Sequence, residues 1–315
     1  MAVESGDQHE AVYVDVAALV RLRHEAKGFS FLPKQPLNSL LSGRKRSRLR
    51  GRGLDFEELR HYRPGDDIRS MDWRVTNRTG KPHVRVYTEE RDRPVILVVD
   101  QRLAMFFGSQ HRMKSVTAAE LAALGAWRVL DQGDRVGAIL FNDSEIRQIK
   151  PSRSRRSVLS MLSQLAAMNQ QLTVSSTDPA QPARFEEVIG IAERMTGHDY
   201  LVIIISDFDG WSAQALAGIK RMSQHNDLVA GLVFDPLEHD ISGASNLVVS
   251  DGRYQLQLQP EKRALADRFE ESFHSSVNDL QAELRKHSMP VLPINTVEPV
   301  FEQLRAQMGQ HPSRG

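Results

Sequence analysis

Two aspartates sit where α/β proteins do their chemistry. Asp100 closes the apolar run Pro94-Val95-Ile96-Leu97-Val98-Val99, and Asp207 follows Tyr200-Leu201-Val202-Ile203-Ile204-Ile205-Ser206. In open α/β sheets, ligands gather beyond the carboxyl ends of the strands. If adjacent strands bring both carboxylates together, a cation or a proton must separate them, because close like charges oppose each other's ionisation. A metal-dependent hydrolase would use such a pair. Asp66, Asp67 and Asp72 in a turn-rich segment upstream could extend the cluster. The plainer alternative is that each strand-end acid caps the helix that follows it.

The elements that would position these residues alternate regularly after Pro94. Val95 to Asp100, Arg135 to Phe141, Tyr200 to Ser206, Leu228 to Phe234 and Met289 to Ile294 read as strands. Between them, His111 to Asp131, Arg153 to Met168, Phe185 to Met195 and Ser212 to Gln224 read as helices, and Glu145 to Ile149 as a hairpin partner. Near-continuous apolar strands interleaved with helices predict an α/β fold, a mostly parallel sheet with helices on both faces. Val248 to Leu258 around Asp251-Gly252 predicts a hairpin. Glu261 to Lys286 predicts a long charged helix, and Pro299 to Gln307 a terminal one. Upstream, Val14 to Ala26 predicts a short amphipathic helix, and His83 to Thr88 alternates as a half-buried strand.

Composition excludes several classes. The 315 residues carry a formal net charge of +1, so no global field draws the chain to nucleic acid or membrane. There are no cysteines, which removes disulfides and thiolate metal sites. No run approaches the roughly 18 apolar residues of a membrane helix, and the polar start is no signal peptide; a cytoplasmic location is expected. The 11 histidines show no His-x-x-x-His spacing. Neither a Gly-x-x-x-x-Gly-Lys phosphate loop nor a Gly-x-Ser-x-Gly elbow is present. The run from Gly43 to Gly53 is strongly basic, with Arg44, Lys45, Arg46, Arg48, Arg50 and Arg52. It can be a solvated arm, a patch for an acidic partner or a phosphate-binding strip; a nucleic-acid binder acting through this run is one alternative function, but the run lacks aromatics for base stacking and nucleic acid is not the expected partner.

One segment is distinctive as a whole. Gly53, Phe56-Glu57-Glu58-Leu59-Arg60, Tyr62, Pro64-Gly65-Asp66-Asp67-Ile68-Arg69, Asp72-Trp73, Arg78 and Glu89-Glu90, with the later Phe234-Asp235-Pro236-Leu237-Glu238, resemble the signature of a bacterial family called domain of unknown function 58. The resemblance spans about residues 40 to 310. It implies a von Willebrand factor A-like (Rossmann-type) fold and partnership with MoxR-type AAA+ ATPases and other von Willebrand factor A proteins. Many members of the family begin with two membrane helices, which this sequence lacks.

That fold often holds a divalent cation through Asp-x-Ser-x-Ser after the first strand, then a Thr and an Asp from later loops. The first loop here reads Asp100-Gln101-Arg102-Leu103-Ala104. The Asp remains, Arg102 and Ala104 replace the hydroxyls, Asp207 matches the later acid, and Thr177, with Thr173 as rival, is the candidate threonine. A guanidinium beside Asp100 would repel a divalent ion and could itself neutralise both acids. No cofactor is therefore expected; if magnesium did bind, Asp100 and Asp207 would be its ligands. On this argument, changing Arg102 and Ala104 together to serine should restore metal binding.

The combined expectation is a non-enzymatic adaptor with no catalytic residues. It comprises a tail and helical arm over 1–42, the basic run and a β-rich signature module over 43–93, the von Willebrand factor A-like domain over 94–310 with a hairpin excursion at 236–260, and a tail over 311–315. In the module, Arg60, Tyr62, Pro64, Gly65, Asp66, Asp67, Arg69 and Asp72 are expected to make turns, caps and ion pairs, with Trp73 as a buried packing anchor; the alternative is that the segment from Tyr62 to Trp73 is a partner-binding surface.

Overall fold

Strand β3 (Pro94–Asp100) is buried along its whole length, and its side chains divide by parity. Val95, Leu97 and Val99 enter one apolar cluster, Ile96 and Val98 the other. A strand with two apolar faces needs a helical layer on each. The chain supplies them through α3 (Lys114–Asp131) and α4 (Arg155–Asn169) on the first face, and α5 (Ala183–Met195) and α6 (Ala213–Ser223) on the second.

The computed structural model describes residues 11–28, 54–63, 66, 68–89, 93–173, 181, 183–239, 247–250, 255–258, 282–284, 286–287 and 289–308. The remaining strands are β4 (Arg135–Phe141), β5 (Ile146–Ser152), β6 (Leu201–Ser206), β7 (Asp227–Phe234) and β10 (Val291–Asn295). Their six-stranded sheet runs β10-β7-β6-β3-β4-β5. All pairings are parallel except β4 with the edge strand β5. Counting only these strands in chain order, the sheet reads 3-2-1-4-5-6 from the β5 edge, with the chain reversing outward at β3 and β6. This doubly wound order with one antiparallel edge is the expected von Willebrand factor A-like fold.

At the β4–β5 pairing the register shifts between Val136 and Ala138, and Gly137 lies under the main chain of β5. A Cβ there would stand 2.5 Å from the Ile149 carbonyl oxygen, so only glycine fits. Downstream, α7 (Pro236–His239) is one short turn after β7, and α8 (Val300–Met308) follows β10. The hairpin expected around 251–252 is present as β8 (Leu247–Ser250) paired antiparallel with β9 (Gln255–Leu258). The expected helix over 261–286 falls mostly outside the described residues, as do the basic run at 43–53, the first ten residues and the last seven.

The N-terminal arm joins the large unit's core. Its helix α1 (Val16–Arg21) is capped by Asp15 and buries Leu19 completely. The indole of Trp127 donates to the Leu19 carbonyl at 3.0 Å, and Asn169 Oδ1 accepts from the Val14 amide at 2.9 Å.

Chain contacts divide the molecule into two compact units, 38–92 and the rest. The small unit is a hairpin of β1 (Leu54–His61) and β2 (His83–Glu89), enclosing a 3-10 turn and helix α2 (Trp73–Thr79). The β-rich expectation is met by the hairpin, but α2 was not foreseen in the sequence. Asp72 caps it by accepting from the amides of Arg74 and Val75, and Gly80 ends it in the left-handed region at φ 67°. Among the described residues, no helix is long and apolar enough to cross a membrane.

Candidate functional site at the sheet edge

Because β3 and β6 are adjacent and parallel, Asp100 and the residues after Ser206 emerge at the same edge. Asp100 is fully buried, so its charge requires a partner held in place. Arg102, also buried, supplies that partner. Its Nη2 lies 2.6 Å from Asp100 Oδ2, its Nε 3.0 Å from Oδ1, and its own amide donates to Oδ1 at 3.0 Å. The Ser206 hydroxyl adds a donor to Oδ2 at 2.6 Å and accepts from the Phe208 amide.

The same guanidinium spans the gap to the second acid. Nη2 donates to the Asp209 carbonyl at 2.9 Å and stands 3.8 Å from Asp207 Oδ1. It lies 5.6 Å from the ring centres of both Phe141 and Phe185, which wall it from water. Phe208, at φ 61°, is a buried non-glycine residue in the left-handed region, and this strained turn carries the chain from Asp207 to the Asp209 carbonyl.

Lys114 is a second buried cation, one that sequence reasoning missed. Its ammonium bridges Asp207 Oδ2 at 2.8 Å and Glu238 Oε1 at 2.6 Å. A signal was available: Lys114 opens a long apolar helix, where a positive charge opposes the helix dipole unless an acid faces it. Glu238 Oε2 accepts from the Asp235 amide. Asp235 is itself fully buried and accepts from the amides of Ser109 and Leu237 and from the Thr296 hydroxyl. These bonds fasten the loops after β3, β7 and β10 into one network. Asp143, after β4, ties in two further segments by accepting from the amides of Leu103 and Gln181.

Electrostatics follow from this packing. Burial pushes the Asp100 carboxyl above the usual carboxylate range, while Arg102 and Ser206 pull it back down. For Asp207 burial is outweighed by Lys114 and Arg102, and its pKa falls. Burial would release the proton of Lys114, but Asp207 and Glu238 hold it and move its pKa upward. Asp235 is also lowered, its donors overcoming burial.

The donor set does not fit a divalent metal. Two cations already occupy the space between the acids, and Ala104, in a 3-10 turn, offers no side-chain oxygen. Thr177 lies outside the described residues, and Thr173 is exposed. Among the described residues no cluster of three or more metal-ligating side chains forms. Lys114 also revises one expectation: serines at 102 and 104 would leave an ammonium on Asp207, so that double change alone would not restore a metal site.

In the small unit the signature residues take local roles. Arg60 grips Asp66 with two bonds of 2.7 and 2.8 Å, and Asp66 also accepts from the Arg63 amide. Asp72 is the buried helix cap, Tyr62 is half-buried, and Arg69 is exposed. Pro64, Gly65 and Asp67 lie outside the described residues. Of the small-unit acids that the hydrolase alternative would use, Asp66 is bound by Arg60 and Asp72 caps a helix. Trp73 corrects the sequence expectation: it is 59% exposed. The inner face of α2 is taken by Val75 and Thr76, whose hydroxyl accepts from the His83 amide, and this turns the indole outward.

Comparison with known proteins agrees with this picture at the level of family. Uncharacterized proteins of Mycobacterium bovis and Mycobacterium tuberculosis are 28% identical over 274 residues, covering 84% of this chain and 81% of theirs. A crystal structure of the conserved hypothetical protein BatB from Bacteroides thetaiotaomicron aligns with 69% of this chain and 98% of its own, at 14% identity and a TM-score of 0.42. The family described as "Protein of unknown function DUF58" matches residues 58–279. The chain belongs to that family.

Proposed function

We propose that this chain is a non-enzymatic interaction protein. On this reading it works in the cytoplasm as an adaptor of a MoxR-type AAA+ ATPase and other von Willebrand factor A proteins, in chaperone-like assembly or activation of another complex. The observation that carries the reading is the buried ion network at the sheet edge. Asp100, Arg102, Lys114 and Asp207 are all at least nearly buried and satisfy one another. Groups consumed in this way serve as struts that hold loops, not as acids, bases or metal ligands for a substrate. The ATPase itself comes from the family resemblance, since a fold alone does not specify a partner.

The test is reconstitution. The purified chain is mixed with the MoxR-type ATPase of its own host, and binding and ATP turnover are measured. A complex of micromolar or tighter affinity with altered turnover is expected. No complex, at low salt and with nucleotide present, would remove the ATPase from the proposal. Hydrolysis of a substrate by the chain alone, lost on chelation and restored by metal, would favour the enzyme alternative.

A further inference from the structure

Three of the four large apolar side chains exposed among the described residues lie in the small unit: Leu59, Ile68 and Trp73, at 39, 59 and 59%. Trp73 sits on a helix face of uniform charge. Trp73, Arg74, Asn77 and Arg78 are all exposed on α2, and exposed Lys81 follows its glycine cap. Their spacing places Trp73 beside Asn77, and Arg74 beside Arg78, on one side of the helix. Among the described residues, no carboxylate pairs with Arg74, Arg78 or Lys81: Asp66 is held by Arg60, and Asp72 is buried at the cap.

We infer that this face is a docking surface for an acidic protein surface containing an apolar pocket for the Trp73 indole. The inference rests on the interaction reading above and adds where the contact is made and what chemistry the partner offers. Two properties select the occupant. The positive charge of Arg74, Arg78 and Lys81 calls for a negative partner. Tryptophan and arginine are the residue types that concentrate binding energy in protein interfaces, and this helix exposes both. Nucleic acid fits less well, because single strands bind through several stacking aromatics, whereas the other large exposed apolar side chains described in this unit, Leu59 and Ile68, are aliphatic.

The test uses the tagged full chain as wild type, Trp73→Ala and Arg74→Glu with Arg78→Glu. Proteins captured by the wild type from host extract are purified, and each is titrated against all three forms. The expected result is an acidic partner whose affinity falls on the order of tenfold or more with Trp73→Ala, and falls further with the charge reversals. Wild-type binding should weaken with salt, and the melting temperatures of the three forms should agree. Partners that bind all three forms equally overturn this face while leaving the interaction reading standing. A wild type that captures nothing at low salt defeats both. Nuclease-sensitive capture, or loss of self-association in the variants, assigns the face to nucleic acid or to a second copy and overturns the inference. A drop in the melting temperature of Trp73→Ala does so too, by making the indole a packing residue.

Discussion

Replacing Arg102 by methionine keeps most of the side-chain volume and removes the charge. Asp100 would then retain only the Ser206 hydroxyl and the amide of residue 102 as donors, in a place with no exposure to water. Breaking a buried ion pair by deleting one partner costs about 3 to 5 kcal/mol, because the survivor is a charge without hydration. For a unit of this size, 1 kcal/mol moves the melting temperature by roughly 2 to 4 °C, so a fall on the order of 10 °C is expected. Changing Asp100 to asparagine in the same background removes the stranded charge and should recover part of the loss. Urea unfolding of wild type, both single variants and the double variant gives the coupling energy directly. It should amount to at least about 1 kcal/mol of mutual stabilisation. An Arg102→Met protein that melts with the wild type, or energies that simply add, would refute the claim that the guanidinium holds this acid.

Other outcomes follow from the same geometry. Trp73→Ala should change stability by no more than about 0.5 kcal/mol in thermal or urea unfolding, as for other exposed positions. Asp72→Ala removes a cap with two amide partners and should destabilise the small unit by about 1 kcal/mol, read as faster hydrogen exchange in α2. The pKa of Lys114 is raised in the folded state, so its contribution is fully present below its ordinary value of 10.5 and is lost as pH rises through the higher folded value. Asp207 is lowered, so its contribution is present above its ordinary value of 3.8 and is lost as pH falls through the lower folded value. Unfolding free energies measured across pH should show both edges, and Lys114→Met should flatten the alkaline one.

Much of the architecture was legible because fully buried strands announce themselves. The runs ending at Val99 and Ile205 carry apolar residues at both parities, which only a sheet covered on two sides can use. Asp100, Arg102 and Asp207 were legible as a group through the family resemblance, which implies that the loops after the first and a later strand share one site; the alternation of elements leaves strand order open, and the pairing of β3 with β6 supplies it. Lys114 and Glu238 were harder to read. Their partners are 93 and 124 residues apart in sequence from Lys114, and a lysine at a helix start is usually solvated. For Trp73, size is a poor guide to burial. Its position directly after the cap Asp72, with Val75 and Thr76 turned inward, decides its direction instead. Helix α2 escaped notice because seven polar-rich residues give too few turns for a periodic signal.

The central claim is that the chain's own cations close the edge of the sheet. Titration of the wild-type protein with Mg²⁺ and with Mn²⁺, read by melting temperature, tests it most directly. A ligand that binds only the folded state must stabilise it by mass action. The account requires no specific shift for the wild type or for Arg102→Ser with Ala104→Ser. A shift should emerge only when Lys114→Met is added to that pair. Clear stabilisation of the wild type by millimolar Mg²⁺ or Mn²⁺, abolished by Asp100→Asn, would contradict the account and make the edge a working metal site.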